Sequence, residues 1–353
     1  MEKEMKLSVN RKLVLNLLLF AVVIGLIYFV IRDSLSAIFI ELLATSWPIL
    51  LGVTALGVAS LFVEGYTIKN IAGLYQPGFT IFDGVIACAY MMFYRVITFG
   101  TGSLVAEVIY YHKKELKISQ GTGVVALRMT LYKLAILFWT FVLLLTQLKT
   151  LQRESPHAIY LIVLGMVATL AVVVVLLVLS SSLNAQVFLI TLCNRLFKKP
   201  KSRAAVDQIN LQIYSLRETI QTFLANRPVI WRVFLSNSVK LALWFLIPYF
   251  VLAGQHPKLD LILSIALVSF TVVLAGVIPS PGGIGSFEFI YVILFRQLVG
   301  KVDAASSLLL YRYSTYLLPF LVGMLYVLVT KQKQINSELK EAKVGNSQSN
   351  KKD

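Results

Sequence analysis

The chain has 353 residues, of which 58% are hydrophobic and only 14% charged, and it carries a formal net charge of +16. That composition excludes an ordinary soluble domain. The basic residues fall mostly between apolar runs, so the excess charge points to an anionic lipid surface, worth about 1 kcal/mol per basic residue, or to positive-inside topology alone; no nucleic-acid partner is expected.

The first apolar run, Leu13 to Ile31, follows Arg11 and Lys12 and has no small-residue cleavage site in good position, so it reads as an uncleaved helix. Further runs near 37–63, 80–98, 124–147, 158–182, 230–254, 259–278 and 304–330 bring the expected spans to eight. Two shorter pieces, near 103–112 and 283–297, directly follow glycine-rich breaks and read as re-entrant half-helices. Between residues 203 and 227, Val206, Ile209, Ile213, Leu216, Ile220 and Phe223 recur at spacings of three and four, one apolar stripe on a cytoplasmic helix. Such a helix lies on the membrane or packs against a partner. The polar residues 336–353 read as a disordered cytoplasmic tail. The expected fold is therefore all-α: a polytopic membrane protein of about eight transmembrane helices plus two half-helices. It forms one domain over 1–335, with halves near 37–147 and 230–330.

Orientation follows from lysine and arginine. The basic N-terminus, the segment 195–228 and the tail from Lys331 belong on the cytoplasmic side. Pairing each short piece with its preceding span as a hairpin satisfies this. It also opens the first hairpin to the cytoplasm and the second to the outside.

The two hairpins correspond. At an offset of 181 residues, Ile97, Gly102, Glu107, Ile109 and Tyr110 meet Ile278, Gly283, Glu288, Ile290 and Tyr291. Each hairpin is followed by Arg-x-x-x-Tyr, Arg128 with Tyr132 and Arg312 with Tyr316, whose members share a helix face. Matching elements of opposite orientation are the mark of an inverted repeat with its site near the bilayer midplane. A charge at that depth costs about 2.5–3.5 kcal/mol, so Glu107 is expected to pair with Arg128 and Glu288 with Arg312. These pairs either clamp hairpin to helix or line a groove for a charged headgroup. Irregular backbone at membrane depth needs protein or a wet cavity around it, and free N–H groups at a half-helix start suit a phosphate. The candidate groove residues are Arg95, Gly100, Gly102, Glu107, Arg128, Lys240, Pro279, Pro281, Gly282, Gly283, Gly285, Glu288, Arg312 and Tyr316.

Other polar residues carry less. Arg232, Ser236 and Lys240 share one face, with Arg232 placed to snorkel. Glu64 and Lys133, near span ends, read as interfacial, and the four tryptophans as belt or packing residues. Pro48, Pro248 and Pro319 suggest kinks. Cys88 and Cys193 lie far apart and the three histidines stand singly, so no disulfide, metal or cofactor is expected. No catalytic residue stands out. No phosphate loop of the G-x-x-x-x-G-K-[ST] type is present, which argues against ATP hydrolysis.

The segment 277–295, the run Leu309 to Tyr316 and the stretch Ile97 to Gly102 together resemble the lysylphosphatidylglycerol synthase/flippase transmembrane family. This is the membrane half of bacterial multiple peptide resistance factors, also found as stand-alone flippase-like proteins; the resemblance covers roughly residues 10–330. It implies a multi-pass protein of the bacterial cell membrane, with both termini cytoplasmic. It also implies movement of an anionic or aminoacylated phospholipid such as lysyl-phosphatidylglycerol between leaflets, which repels cationic antimicrobial peptides. Carried over by position, the family's glycine-rich hairpins fall on Gly100–Gly102 and Pro279–Gly285, its acids on Glu107 and Glu288, and its arginine on Arg312. Phe99 stands where a proline is common and Ser103 where a second glycine is common, so identical substrate contacts in the first hairpin are not implied. The soluble transferase domain that follows in full-length enzymes has no counterpart after residue 330.

Three functions remain open at this point: a lipid translocase or scramblase, the membrane component of a phosphatidylglycerol lysyltransferase, and a non-transporting membrane scaffold. The expected partners are anionic membrane phospholipids, with a homo-oligomer and a separate lipid-modifying enzyme both open.

Overall fold

The computed structural model describes residues 36–349 apart from 99, 101, 155, 182–218 and 279–284. The described residues are helices joined by loops, with no strand among them. Ten helices are named below in chain order.

Helix α1 (Ser36–Ala44) ends before Ser46, whose backbone is extended, and α2 (Trp47–Ala72) starts afresh with a proline in its first turn. Proline suits a first turn because its missing N–H has no partner there in any case. The single span expected over 37–63 is therefore two helices, and Pro48 starts one instead of kinking one. Helix α3 (Ile81–Ile97) opens on a capping box, with the Asp83 amide donating to Thr80 Oγ1 (3.1 Å) and the Thr80 amide to Asp83 Oδ2 (2.9 Å). There follow α4 (Ser103–Lys113), α5 (Ile118–Glu154), α6 (Pro156–Ser181), α7 (Arg227–Leu252) and α8 (Leu261–Ala275). Helix α9 (Ser286–Arg312) is broken at Gly300, where φ is 84°. A π-turn (Tyr313–Leu317) leads from it into α10 (Leu318–Ser349).

Five stretches are long and apolar enough to cross a membrane: Trp47–Ala72, Ile118–Arg153, His157–Val175, Arg227–Leu252 and Ser286–Ser337, the last interrupted at Gly300. The expected eight are not reached among the described residues. Leu13 to Ile31 lies outside them, and α3 and α8, with 17 and 15 residues, fall short of the roughly 20 that a perpendicular crossing needs.

Two more expectations are corrected. The tail expected to be disordered continues α10 as helix to Ser349. Its stretch Glu338-Leu339-Lys340-Glu341-Ala342-Lys343 consists of strong helix formers, whose propensity outweighs the polar composition. Most of the stripe helix at 203–227 lies outside the described residues. Its described end is helical over 219–225 and packs inward, with Ile220 and Phe223 each 1% exposed and the Tyr75 hydroxyl donating to the Thr219 carbonyl (2.5 Å). That end is part of this chain's own core.

The packing falls into two apolar cores. One gathers Phe93, Tyr110, Tyr111 and Phe320 from α3, α4 and α10; the other gathers Phe245, Phe270, Tyr291 and Phe295 from α7, α8 and α9. Helices α2 and α7 pack against each other between them. Gly52 faces Phe250, Ser60 bonds Trp244, Glu64 bonds Lys240 and Thr67 bonds Ser236. Partner numbers fall on α7 as they rise on α2, so the two helices run antiparallel.

These two helices also match in detail. Both have 26 residues, and the loops that leave them are closed by the same bonds. The Gly73 amide donates to the Lys69 carbonyl and the Ala253 amide to the Tyr249 carbonyl, both at 2.8 Å. The Gln76 amide donates to Ala72 (2.9 Å) and the His256 amide to Leu252 (2.8 Å). Each loop also grips the chain behind the following short helix: Gln76 Nε2 donates to Glu115 (2.9 Å), and His256 Nε2 meets Asp303 (2.7 Å). Left-handed backbone reverses the chain near both grips, at Glu115 (φ 70°) and at Gly300 (φ 84°).

Candidate functional site

A cavity of about 300 Å³ lies where α2, α3, α5, α7, α8, α9 and α10 converge. It has room for on the order of ten water-sized volumes. Its wall carries four cations, Arg95, Arg128, Lys240 and Arg312, against one carboxylate, Glu64. Apolar residues such as Leu61, Met91, Met92 and Pro319 complete one side, and Tyr132, Trp244, Tyr311 and Tyr316 supply aromatic surface.

The charges are tied into two networks. In the first, Arg128 extends one arm to Glu64 (Nη1 to Oε1, 2.7 Å) and the other to Glu107 (Nη2 to Oε2, 2.7 Å). Lys240 Nζ takes the second oxygen of Glu64 at 2.5 Å. Its ammonium also lies over the rings of Tyr132 (4.4 Å) and Trp244 (5.2 Å), a placement that ring quadrupoles favour. Glu107 is wholly buried and its remaining oxygen accepts from the Tyr111 hydroxyl (2.7 Å). This density of paired groups keeps buried charges tolerable, since each would cost several kcal/mol alone.

The second network sits at the start of α9. Glu288 accepts from the Gly285 amide through Oε2 (2.6 Å) and pairs with Arg312 through Oε1 (2.7 Å). It thus caps the helix and neutralises an arginine at once. Gly285 has φ 101°, a conformation that costs glycine nothing. The Arg312 guanidinium stacks over Phe287 (4.5 Å), which lies parallel to Tyr311 (ring centroids 5.2 Å apart).

The break before α4 closes on itself. The Gly100 amide donates back to the Arg95 carbonyl (2.7 Å), and Thr98 Oγ1 accepts from the Gly102 amide (2.8 Å). These bonds leave Arg95 in the last turn of α3, on the cavity wall.

Both expected ion pairs therefore form, and Arg95, Arg128, Lys240, Arg312 and Tyr316 line one cavity. Glu107, Glu288, Gly100, Gly102 and Gly285 are not on its wall; the two acids hold wall arginines from behind. Pro279, Pro281, Gly282 and Gly283 lie outside the described residues.

Two assignments change. Glu64, expected at an interface, is 4% exposed at the centre of the charge network, because α2 runs on to Ala72 and carries it inward. Trp244, expected as packing, stands on the cavity wall and donates to Ser60 Oγ (2.9 Å). Lys133 is half-buried within the long α5 and not at its end. Arg232 is exposed, as a snorkelling residue would be, while Ser236 is buried against Thr67 (2.7 Å).

Membrane-length helices enclosing a cationic cavity define a multi-pass membrane protein. The chain belongs to the family described as lysylphosphatidylglycerol synthase TM region, whose model matches residues 14–323. No curated protein sequence matches it significantly.

Proposed function

We propose that this chain is a lipid translocase, of flippase or scramblase type, that passes the headgroup of an anionic or aminoacylated phospholipid such as lysyl-phosphatidylglycerol through the cationic cavity. The observation that carries the reading is the cavity wall, with four cations against one carboxylate among helices long and apolar enough to cross a membrane. Ionisable groups there are costly and mark substrate paths, and clustered cations in a low-dielectric pocket favour a phosphate. The apolar side of the same cavity suits the start of an acyl chain.

An inverted repeat supplies the route. Helices α2 and α7 run antiparallel and leave through identically bonded loops, as equivalent elements of oppositely oriented halves would. Each half brings one acid-backed arginine, Arg128 or Arg312, to the cavity. Rocking one half against the other around this fixed site would alternate its exposure.

The test is leaflet-resolved lipid analysis in reconstituted vesicles. Wild type should move lysyl-phosphatidylglycerol or phosphatidylglycerol between leaflets. Glu288→Gln, which keeps an acceptor for the Gly285 amide but loses the charge facing Arg312, should abolish that movement and leave folded protein. Unaltered movement by this variant removes Glu288 from the mechanism.

The family description itself names a synthase, which favours a second reading, the membrane component of a phosphatidylglycerol lysyltransferase. Lysyl transfer from charged tRNA in the same vesicles would support it. The scaffold reading relied on an exposed stripe, two residues of which, Ile220 and Phe223, are buried within this chain.

A further inference from the structure

We propose that Glu64 is a built-in counter-anion: its carboxylate stands where a ligand's phosphate binds, and it must leave for that phosphate to enter. The inference rests on the anion-binding reading of the cavity and adds which residue competes with the ligand.

Glu64 is the one carboxylate among the residues lining the cavity. Its two oxygens are taken by two cations from different helices, Arg128 on α5 at 2.7 Å and Lys240 on α7 at 2.5 Å. A phosphodiester likewise presents two charged oxygens from one centre, and arginine with lysine is a common receptor for it. The receptor does not depend on Glu64 for its shape. Arg128 is anchored through its other arm to Glu107 (2.7 Å), and Lys240 rests on the faces of Tyr132 and Trp244. Both cations would therefore stay in place when the carboxylate swings away. Arg128 also keeps a donor in reserve, since its Nε is buried with no hydrogen-bond partner among the described residues. A buried donor left unpaired costs free energy that a third acceptor oxygen would recover.

The same arrangement explains why an internal anion is needed. Without Glu64, Lys240 would lose its carboxylate and Arg128 one of its two, and cations facing each other in a low-dielectric site repel strongly. Glu64 stabilises the empty site and sets a threshold that only an anion able to engage both cations can cross. Weakly coordinating anions are excluded by the same competition.

The experiment uses the purified full chain with Glu64→Gln and Glu64→Asp, titrated with inorganic phosphate and with short-chain phosphatidylglycerol. Binding is followed by calorimetry and by thermal unfolding. Glu64→Gln keeps the side-chain shape and removes the competitor. It should unfold at lower temperature than wild type in phosphate-free buffer, bind the phosphate probe about tenfold more tightly, and regain its stability as phosphate is added. Glu64→Asp, which keeps the charge, should bind as wild type does. A Glu64→Gln protein that binds phosphate no better than wild type overturns the proposal. So does a loss of stability that phosphate does not restore, including failure to fold when phosphate is present throughout purification. Preference of the variant for phosphatidylglycerol over inorganic phosphate supports the lipid reading as well. The opposite preference, with tightened binding retained, upholds the role of Glu64 and defeats the translocase.

Discussion

Arg128 and Arg312 make the same kind of pair in very different surroundings. Arg128 has 10% side-chain exposure and holds two buried acids, whereas Arg312 pairs with a Glu288 that is 29% exposed. Removing one partner of a buried ion pair costs about 3–5 kcal/mol because the other charge is stranded, whereas water can reach a stranded partner at a partly exposed pair. Arg128→Gln should therefore lower the thermal unfolding temperature in detergent far more than Arg312→Gln; equal losses would show that burial does not set these costs. The two Glu–Arg pairs were legible in the sequence because acid and arginine recur at matching places after matching breaks. Glu64 was not legible. A single acid at the apparent end of an apolar run has the same pattern whether it faces water or a cation from a helix 176 residues away. Trp244 was missed for a similar reason, since helical spacing does not tell a cavity wall from a packed interface.

Glycines and prolines made most helix breaks readable but not what each break does. Gly300 interrupts α9 with φ 84°, between the half-helix expected near 283–297 and the span expected from 304. Pro48 looked like a kink and instead starts α2, because a proline in a first turn and one inside a helix look alike in sequence. The helical tail was hidden by its polarity. Beyond the Glu107–Arg128 pair, contacts between helices were not legible, and two of them are testable. At Gly323 on α10 an added Cβ would lie 2.0 Å from the Ala89 carbonyl oxygen of α3. Neither backbone can yield that much, so Gly323→Leu should separate the helices and lower the unfolding temperature sharply; a variant as stable as wild type would deny this contact. The hydroxyls of Thr67 and Ser236 meet at 2.7 Å. With Cys88 and Cys193 replaced, Thr67→Cys and Ser236→Cys together should form an intramolecular crosslink under mild oxidation, whereas pairing Thr67→Cys with a cysteine at Phe250 should not. The reverse result would mean that α2 and α7 run parallel.

Two matching loops, at 73–80 and 253–260, leave the two expected halves, and each apolar core draws on residues of both. If those halves are oppositely oriented in the bilayer, the loops at 73–80 and 253–260 face opposite sides. Single cysteines at Gly78 and Lys258 should then react with a membrane-impermeant thiol reagent from opposite sides of sealed vesicles; labelling from the same side would remove the inverted arrangement. The membrane class could be read from hydropathy because that is a local pattern. The cavity could not, because it is made by seven helices whose wall residues are scattered from Ser60 to Pro319. That the headgroup crosses through this cavity is tested most directly by filling it. Ala275 is a small wall residue of α8 with no part in either charge network. In vesicles, Ala275→Trp should retain wild-type insertion and an unfolding temperature close to wild type yet stop exchange of phosphatidylglycerol between leaflets. Exchange at the wild-type rate through a protein whose cavity is plugged would contradict the account.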